Sequence, residues 1–238
     1  MILQGKRVLV TGGGKRAGAV IVRKLAAAGC RVIIHCRESA DTAQELCAAL
    51  PGTGHMVVSA DLADERAISD MLQRIGKFEL LVNNAAIFHR PGSPEDLNAA
   101  ELYDRINFRA PEKLLEYFFN QDISGGAAVN ITDAFTLLPG SGAYHRSKEE
   151  LNVLTRQLAP RWAVRGFRIN AVAPGPMLPP PWAPESRMEK VLQEVPLHRA
   201  VPPEELAELV CFLLACDSMT GAVIPLDGGI SVKNLTGC

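Results

Sequence analysis

The sequence has no long hydrophobic run and no excess of charge of one sign. No window approaches the roughly 20 consecutive apolar residues that a membrane-spanning helix needs. Lys and Arg together number 25, Asp and Glu number 26, and the formal net charge is −1. This balance excludes charge-driven binding of nucleic acid or of an anionic membrane as the main function. The first residues run directly into a predicted strand, so we expect no signal peptide and a cytoplasmic protein.

Cysteine and histidine are also sparse, and their spacing excludes the common metal and disulfide frameworks. The chain has 6 cysteines and 5 histidines. The cysteines form no C-x-x-C pair, and no Cys/His cluster has the spacing of zinc ligands. We therefore predict a reduced protein with no bound metal and no disulfide bond.

The hydrophobic pattern alternates between short β-rich runs and helical segments. The β-rich runs predict strands at 7–11, 31–36, 56–59, 80–83, 127–132, 168–173 and 222–226. The helical segments lie near 17–29, 40–50, 64–76, 99–120, 143–165 and 203–216. Strands that are apolar on both faces are typical of a parallel sheet covered by helices. The alternation therefore predicts one doubly wound α/β domain over residues 1–238.

A proline-rich stretch at 174–186 interrupts this alternation. Its prolines disfavour a regular helix or a central strand. A long stiff loop in a compact domain is often a lid, so we predict a substrate loop region over 174–200. The alternative is a simple surface connection.

A glycine-rich turn joins the first strand to the first helix. Its residues are Thr11, Gly12, Gly13, Gly14, Lys15, Arg16, Ala17 and Gly18. Glycines here permit a tight turn, and the helix N-terminus offers free N–H groups to a pyrophosphate. A strand before and a helix after are the context that this motif needs. We predict a dinucleotide site; the alternative is a structural turn without a ligand.

The end of the second strand favours NADP over NAD. In NAD enzymes an acidic residue at this place usually holds the ribose 2′-hydroxyl. Here the first charged residue is Arg37, whose planar guanidinium suits the 2′-phosphate of NADP, and Arg16 could reach the same phosphate. Glu38 argues the other way, because it could repel that phosphate or accept a ribose hydroxyl. The alternative for each arginine is a solvated surface charge.

Small and polar residues follow the third and fourth strands. Asp61-Leu62 follows the third, where Asp61 could bond the adenine edge or cap the next helix. Asn83-Asn84-Ala85-Ala86 follows the fourth, where small side chains would let a cofactor approach the backbone.

Tyr144 and Lys148 lie four residues apart on the helix after the fifth strand, and therefore on one face. A free tyrosine has a pKa near ~10 and transfers protons poorly at neutral pH. A close ammonium group would stabilise the phenolate and lower that pKa. The pair predicts proton transfer at this helix. The neighbouring His145 and Arg146 are expected to point elsewhere, as surface or interface residues.

Taken together, these motifs resemble the short-chain dehydrogenase/reductase family from end to end. The matching residues are Thr11, Gly12, Gly18, Asn83, Asn84, Ala85, Asn107, Tyr144, Lys148, Pro174, Gly175, Asp227, Gly228 and Gly229. The resemblance implies a Rossmann-type sheet of about seven parallel strands in a single domain. It also implies an oxidoreductase that uses a nicotinamide cofactor.

Within that family the chain resembles the pteridine reductases and the related dihydromonapterin and dihydrofolate reductases. Arg16 stands where most members have glycine, and the second strand ends in a His-x-Arg-x-Ser-type segment. Phe88 stands where pteridine reductases carry a phenylalanine that stacks the pterin against nicotinamide. Asp133 stands where most members have a catalytic serine and pteridine reductases have aspartate.

The resemblance implies a role for each residue of the site. Tyr144 would supply the proton, Lys148 would tune Tyr144 and bind the nicotinamide ribose, and Asp133 would orient Tyr144 or relay a proton. Asn107 would hold a water in the relay to Lys148. The implied substrate contacts are Arg16, Phe88, Asp133, Tyr144, Pro176, Met177 and Leu178. The implied NADP(H) contacts are Thr11, Gly12, Gly14, Lys15, Arg16, Ala17, Gly18, His35, Arg37, Ser39, Asp61, Leu62, Asn84, Ala85, Ala86, Thr132, Tyr144, Lys148, Pro174, Gly175 and Met177.

The chain departs from the family pattern in two places. Asp133 precedes Tyr144 by eleven residues, two fewer than usual. Either the shortened loop turns more tightly with the site intact, or Asp133 is displaced from Tyr144. Ala86 replaces a serine that some pteridine reductases use, for which Ser141 could compensate. The alternatives for Phe88 and Asp133 are a core or lid aromatic and a turn-forming residue.

Two long helices carry more apolar residues than one core-facing stripe needs. They are Leu114, Leu115, Tyr117, Phe118, Phe119, Leu151, Leu154, Leu158 and Trp162. In the resembling family these helices form subunit interfaces, and we predict a homotetramer.

Three functions are compatible with these residues. The first is NADPH-dependent reduction of a dihydropterin or similar flat heterocycle. The second is reduction of a ketone, an aldehyde or a ketoacyl thioester. The third is an NADP-binding sensor of weak activity, against which the set of Tyr144, Lys148 and Asn107 argues. Fold alone decides none of them.

Overall fold

Seven parallel strands form one sheet within the residues that the computed structural model describes, 1–137, 142–180, 182–183 and 185–235. The strands are β1 (Arg7–Val10), β2 (Arg31–Cys36), β3 (Met56–Ser59), β4 (Leu80–Asn83), β5 (Gly126–Ile131), β6 (Phe167–Pro174) and β7 (Val223–Leu226). Their order is β3-β2-β1-β4-β5-β6-β7, and every neighbouring pair is parallel. All seven predicted strands and the predicted fold class are confirmed.

Helices cover both faces of the sheet. They are α1 (Arg16–Ala27), α2 (Ala40–Ala48), α3 (Glu65–Ile75), α4 (Pro94–Leu97), α5 (Ala100–Tyr103), α6 (Ala110–Asn120), α7 (Ala143–Ala163), α8 (Glu185–Gln193) and α9 (Pro203–Ala215). A π-helical turn, Asp104–Arg109, joins α5 to α6, and 3₁₀ turns lie at Ala134–Leu137 and Ile230–Leu235. No helix among the described residues is long and apolar enough to cross a membrane.

Two predicted boundaries are wrong. The single helix expected over 99–120 is divided into α5, the π-helical turn and α6. The region 174–200, expected to be a loop, contains α8, because a run of helix-forming residues without proline follows Pro184. The substrate loop region is thus a short loop followed by a helix.

Alternate strand residues face two separate apolar cores. One core combines residues such as Val8 and Ile34 with α1, α2 and α9. The other combines residues such as Leu9 and Ile33 with α3, α6 and α7. Burial on both faces explains why the strand sequences show little polar alternation.

The strand order reverses between β1 and β4, which are neighbours in the sheet although β2 and β3 separate them in sequence. At such a reversal the loops after the two strands diverge to opposite faces and leave a crevice at their carboxyl ends. The glycine-rich turn follows β1, the Asn84 loop follows β4, and Asp133 follows β5. The topology therefore gathers the predicted site residues at one edge.

Candidate active site

Hydrogen bonds between the loops after β1 and β4 fix the floor of the crevice. Thr11 Oγ1 accepts from the backbone N–H groups of Asn84 and Ala85, at 3.0 Å each. The Asn84 amide donates to the carbonyls of Thr11 at 2.9 Å and Gly12 at 3.2 Å. A Cβ at Gly18 would overlap the Gly12 carbonyl, so helix α1 can approach the turn this closely only with glycine there.

His35 shapes the glycine-rich turn from beneath. Its side chain is buried, its Nδ1 accepts from the Gly12 N–H at 3.2 Å, and its Nε2 lies 3.1 Å from the Ala60 carbonyl oxygen. Because a carbonyl only accepts, Nε2 carries the proton and Nδ1 is the acceptor. Burial lowers the pKa of His35, which keeps the imidazole neutral in this arrangement.

A concave pocket lies above this floor and contains most of the predicted nucleotide contacts. Its lining comprises Gly12, Gly14, Lys15, Arg16, Ala17, Gly18, His35, Cys36, Arg37, Glu38, Ser39, Asp61, Leu62, Asn84, Ala85, Ala86, Ile87 and Ile106. Sequence reasoning missed Cys36, Ile87 and Ile106. All three adjoin predicted residues, namely His35, Ala86 and Asn107, and could have been included by proximity. Ile106 comes from the π-helical turn.

Two acidic residues of this pocket have partners. Glu38 forms an ion pair with Arg37, with Nη2 and Oε1 at 2.8 Å. Asp61 accepts from the Ala63 N–H at 2.8 Å, whereas the α3 N-terminus is capped by Asp64. The helix-capping alternative for Asp61 is therefore wrong, and its exposed carboxylate stays at the pocket.

Four predicted cofactor residues lie at the ends of β5 and β6 instead of in this pocket. Thr132 donates to the Val172 carbonyl through both its N–H, at 2.8 Å, and its hydroxyl, at 3.2 Å. Pro174 ends β6, the Gly175 N–H donates to Leu226, and Met177 packs partly buried on the apolar core. These residues shape the neighbouring wall of the crevice.

Asp133, after β5, and Tyr144, at the start of α7, form the predicted proton-transfer site. The Tyr144 hydroxyl donates to Asp133 Oδ2 at 3.1 Å. The other oxygen, Oδ1, accepts from the Phe135 N–H at 2.8 Å. Asp133 therefore forms the turn and also faces Tyr144, so the shortened loop does not displace it. Residues 138–141, including Ser141, lie outside the described residues.

The charges at this centre differ from the sequence-based prediction. Burial raises the pKa of Tyr144 well above its usual value, and the adjacent Asp133 carboxyl raises it further. The expected lowering by Lys148 is not seen in the ligand-free protein: burial and Asp133 act on Tyr144, and Lys148 Nζ donates to the Ile131 carbonyl at 2.8 Å. Burial also raises the pKa of Asp133, against the Phe135 N–H and nearby positive charge. Burial lowers the pKa of Lys148 to about 8.

Replacing Lys148 by methionine is expected to stabilise the ligand-free protein near pH ~7. A lysine pKa lowered from 10.5 to about 8 on folding means that charge burial weakens the folded state below the folded pKa. That penalty disappears as the pH rises from about 8 toward the unfolded value. Allowing for the lost hydrogen bond, we expect a gain of roughly 1–3 kcal/mol.

Thermal unfolding of both proteins between pH ~6 and ~10 measures this effect. We expect a higher Tm for Lys148→Met at the lower end and convergence of the two curves at the upper end. A variant that is less stable throughout, or a difference that is independent of pH, would contradict it.

Asn107 fastens the loop after β4 to helix α7. Its Oδ1 accepts from the Ile87 N–H at 2.9 Å, and its Nδ2 donates to the Ile87 carbonyl at 3.1 Å and to Ser147 Oγ at 3.3 Å. The side chain is fully buried in the π-helical turn. Asn107 therefore positions the residue next to Phe88; a water held toward Lys148 stays a prediction.

Aromatic rings surround Tyr144. The Phe88 and Tyr144 centroids lie 4.5 Å apart, and Phe88 is 37% exposed. Trp182 lies 5.8 Å from Phe88 and donates to its carbonyl at 3.4 Å. His145 packs at 5.3 Å from Tyr144, so the expectation that it points elsewhere is wrong. Arg146, expected like His145 to point elsewhere, is exposed.

Arg16 connects the glycine-rich turn to the loop after β6. It has a left-handed backbone, with φ of 53°. Its Nη2 donates to the carbonyls of Pro179 at 2.8 Å and Leu178 at 3.4 Å. The predicted substrate contacts Pro176, Met177 and Leu178 thus lie in a loop tied to the nucleotide pocket. Pro176 is itself fixed, through its carbonyl, to the Val201 N–H at 2.8 Å.

Comparisons with known proteins agree with this architecture. A family model described as enoyl-(acyl carrier protein) reductase matches residues 17–231. L-xylulose reductase of Bos taurus is 33% identical over 239 residues, which cover 95% of this chain and 97% of that protein. Galactitol 2-dehydrogenase of Rhizobium johnstonii is 34% identical over 248 residues, covering 96% of each.

A solved structure extends the similarity to the fold. FolM alternative dihydrofolate reductase 1 from Brucella canis, complexed with NADP, superposes with a TM-score of 0.84 at 34% identity, covering 97% of this chain and 96% of that one. The sheet, the nucleotide pocket and the Tyr144–Lys148 helix define an oxidoreductase. The chain belongs to the short-chain dehydrogenase/reductase family. The prediction of NADP(H) agrees with the cofactor bound in that neighbour.

Proposed function

We propose that this protein is an NADPH-dependent reductase of a dihydropterin or a similar flat heterocycle. The observation that carries the proposal is the 3.1 Å hydrogen bond between Tyr144 and Asp133, beside the partly exposed ring of Phe88. A flat aromatic ligand can stack on Phe88 while the Tyr144 hydroxyl and the Asp133 carboxyl face the polar edge of that ligand. The similar Brucella canis structure, which is named as a dihydrofolate reductase, supports the same substrate class.

The nucleotide pocket suits NADPH, which supplies the hydride when bound. We propose that Arg37 holds the 2′-phosphate and that the turn 11–18 holds the pyrophosphate. The ion pair between Glu38 and Arg37 offsets the negative charge of Glu38 beside the proposed phosphate position. The remaining predicted contacts, from Asp61 to Ala86 and at the β5 and β6 ends, would hold the adenosine and nicotinamide parts.

The polar residues around Tyr144 and Asp133 would move the proton. We propose that Tyr144 donates it to the substrate and that Asp133 orients Tyr144 or relays the proton. Lys148 would bind the nicotinamide ribose, and its charge would favour the phenolate once a cofactor changes its hydrogen bonding. Asn107 would complete the relay through a water. Arg16, Pro176, Met177 and Leu178 would line the outer side of the substrate.

Replacing Arg37 by alanine is expected to raise the KM for NADPH about tenfold, because a charge-assisted bond to the phosphate is lost. The KM for NADH should change less than about threefold. The matched control is Arg66→Ala, on exposed α3 outside the pocket. An unchanged KM for NADPH, or an equal effect on both cofactors, would contradict the assignment.

A second candidate is reduction of a ketone or an aldehyde. The relatives named L-xylulose reductase and galactitol 2-dehydrogenase favour it, since those names describe sugar substrates. Ala86, which lacks a hydroxyl near the substrate, also permits it. In a sensor of weak activity, Tyr144, Lys148 and Asn107 would be present together without a catalytic role.

A substrate panel separates these functions. The purified protein is assayed for NADPH consumption with dihydrobiopterin, dihydromonapterin and dihydrofolate, beside ketones and aldehydes. We expect turnover of a dihydropterin. Turnover of carbonyls alone would favour the second function, and binding of NADPH without any turnover would favour the sensor.

We also propose a homotetramer in the cytoplasm, with a corrected interface. Five of the predicted interface residues are buried within one chain, namely Leu114, Leu115, Phe118, Leu151 and Trp162. Tyr117, Phe119, Leu154 and Leu158 stay partly exposed along α6 and α7, beside Val153 at 43% exposure. Light scattering on the eluted protein should give four times the chain mass; the mass of one chain would contradict it.

A further inference from the structure

Three side chains of α7 hold the end of β5 and the 3₁₀ turn that follows it. They occur every fourth residue and therefore share one face of the helix. The first two belong to the site already described, and the third is Asn152, which no motif had singled out. The three pairs are Lys148 Nζ with the Ile131 carbonyl at 2.8 Å, Tyr144 Oη with Asp133 Oδ2 at 3.1 Å, and Asn152 Nδ2 with Thr136 Oγ1 at 3.0 Å.

The hydrogen bond from Asn152 is the first of two that connect α7 to the backbone of Asp133. Thr136 Oγ1 accepts from Asn152 and donates to the Asp133 carbonyl at 2.6 Å. The Thr136 N–H donates to the same carbonyl at 3.2 Å. A directed chain of donors thus runs from α7 to the main chain of Asp133, whose carboxylate returns to α7 at Tyr144.

Asn152 is an unusual choice for a purely structural contact. Its side chain is only 2% exposed, and its Oδ1 has no hydrogen-bond partner among the described residues. A buried acceptor without a partner costs stability, which an apolar residue of similar size would avoid. Among the described residues, the one hydrogen bond of the Asn152 side chain is the bond that its Nδ2 donates to Thr136 Oγ1.

We infer that Asn152 is a positioning residue for Asp133, acting through the hydroxyl of Thr136. This inference rests on the proposed role of Asp133 in proton transfer. The loop between Asp133 and Tyr144 is two residues shorter than usual in the resembling family, and the Asn152–Thr136 contact anchors the start of that loop to α7. A displacement of about 1 Å at a reacting group can lower a rate by as much as ~10²-fold.

Two substitutions and one conservative control substitution test this inference. Asn152→Leu removes the donor together with the unpaired acceptor, and Thr136→Val removes the hydroxyl. Thr136→Ser keeps the hydroxyl. With NADPH and dihydrobiopterin, we expect kcat to fall about tenfold in the first two variants, with an unchanged KM for NADPH. Thr136→Ser should stay within about twofold of the parent.

The readouts distinguish positioning from a structural role. Tm is measured for each variant, and that of Asn152→Leu should not fall, because the unpaired acceptor is gone. An unchanged kcat in Asn152→Leu and Thr136→Val overturns the inference. So does a fall in kcat that is accompanied by a raised KM for NADPH and a lowered Tm, or a Thr136→Ser variant that is no better than Thr136→Val.

Asp133→Asn in the same assay separates this failure from that of the proposed function. If Asp133→Asn is inactive while Asn152→Leu and Thr136→Val match the parent, only the positioning inference is overturned. If Asp133→Asn turns over dihydrobiopterin normally, the role proposed for Asp133 fails, and the positioning inference that depends on it fails as well. If the parent protein does not turn over dihydrobiopterin, the proposed function itself fails.

Discussion

Replacing Tyr144 by phenylalanine is expected to lower kcat by roughly 10²–10⁴-fold, the usual contribution of a general acid or base. The hydroxyl that bonds Asp133 at 3.1 Å is the only group removed. Phenylalanine retains the ring, which packs 4.5 Å from Phe88 and 5.8 Å from Tyr103. Steady-state kinetics with NADPH and the best substrate of the panel measure the effect.

NADPH binding is the control for this variant. Tyr144 is one implied NADP(H) contact among many and lies outside the nucleotide pocket, so the Kd of Tyr144→Phe for NADPH should stay within about threefold of the parent value. Tyr103→Phe is a matched variant at the neighbouring ring, whose hydroxyl donates to Asp96 at 2.8 Å instead of facing Asp133. It should retain most of the activity. Comparable activity in Tyr144→Phe and the parent would contradict the assignment of the proton donor.

Replacing Asp133 by asparagine is expected to lower kcat with a dihydropterin about 10²-fold. Carbonyl reduction, if present, should fall less than about tenfold, because Tyr144 alone can protonate a carbonyl oxygen. Asparagine keeps an oxygen that can accept from the Phe135 N–H, so the turn is retained. Equal losses with both substrate classes, or none with a dihydropterin, would contradict the role proposed for Asp133.

The pH dependence of the parent gives an independent view of Asp133. Burial raises the pKa of this carboxyl, while His145 and Lys148 oppose the rise. A raised pKa keeps the carboxyl protonated to higher pH than usual. If Asp133 relays a proton, dihydropterin reduction is present below that raised pKa and declines above it. The decline should be absent from the residual activity of Asp133→Asn.

Sequence patterns predicted the parts of this molecule that depend on local chemistry. The seven strands follow from short apolar runs, since a sheet covered on both faces admits few polar residues. The glycine-rich turn follows from backbone requirements near Gly12 and Gly18. The shared face of Tyr144 and Lys148 follows from helical geometry alone.

Other features depend on contacts between distant segments, which local patterns do not encode. The π-helical turn that divides the 99–120 helix contains Asn107, whose side chain bonds Ile87 in another part of the chain. Burial and the neighbouring Asp133 raise the pKa of Tyr144, and helical spacing alone did not show that Lys148 bonds the Ile131 carbonyl. Some residues of the interface predicted on α6 and α7 are buried inside one chain. The sequence alone does not show that Trp162 and Phe118 pack with Phe167 in one core.

Transfer of deuterium from NADPH tests the central claim most directly. The purified protein is incubated with dihydrobiopterin and NADPH carrying deuterium at both C4 positions of the nicotinamide, and the pterin product is analysed by mass spectrometry. We predict a tetrahydropterin that contains one deuterium, with label incorporation greatly reduced in Tyr144→Phe and Asp133→Asn. An unlabelled pterin, together with a labelled alcohol from the ketone or aldehyde panel, would show that the enzyme reduces carbonyls and that the pterin assignment is wrong.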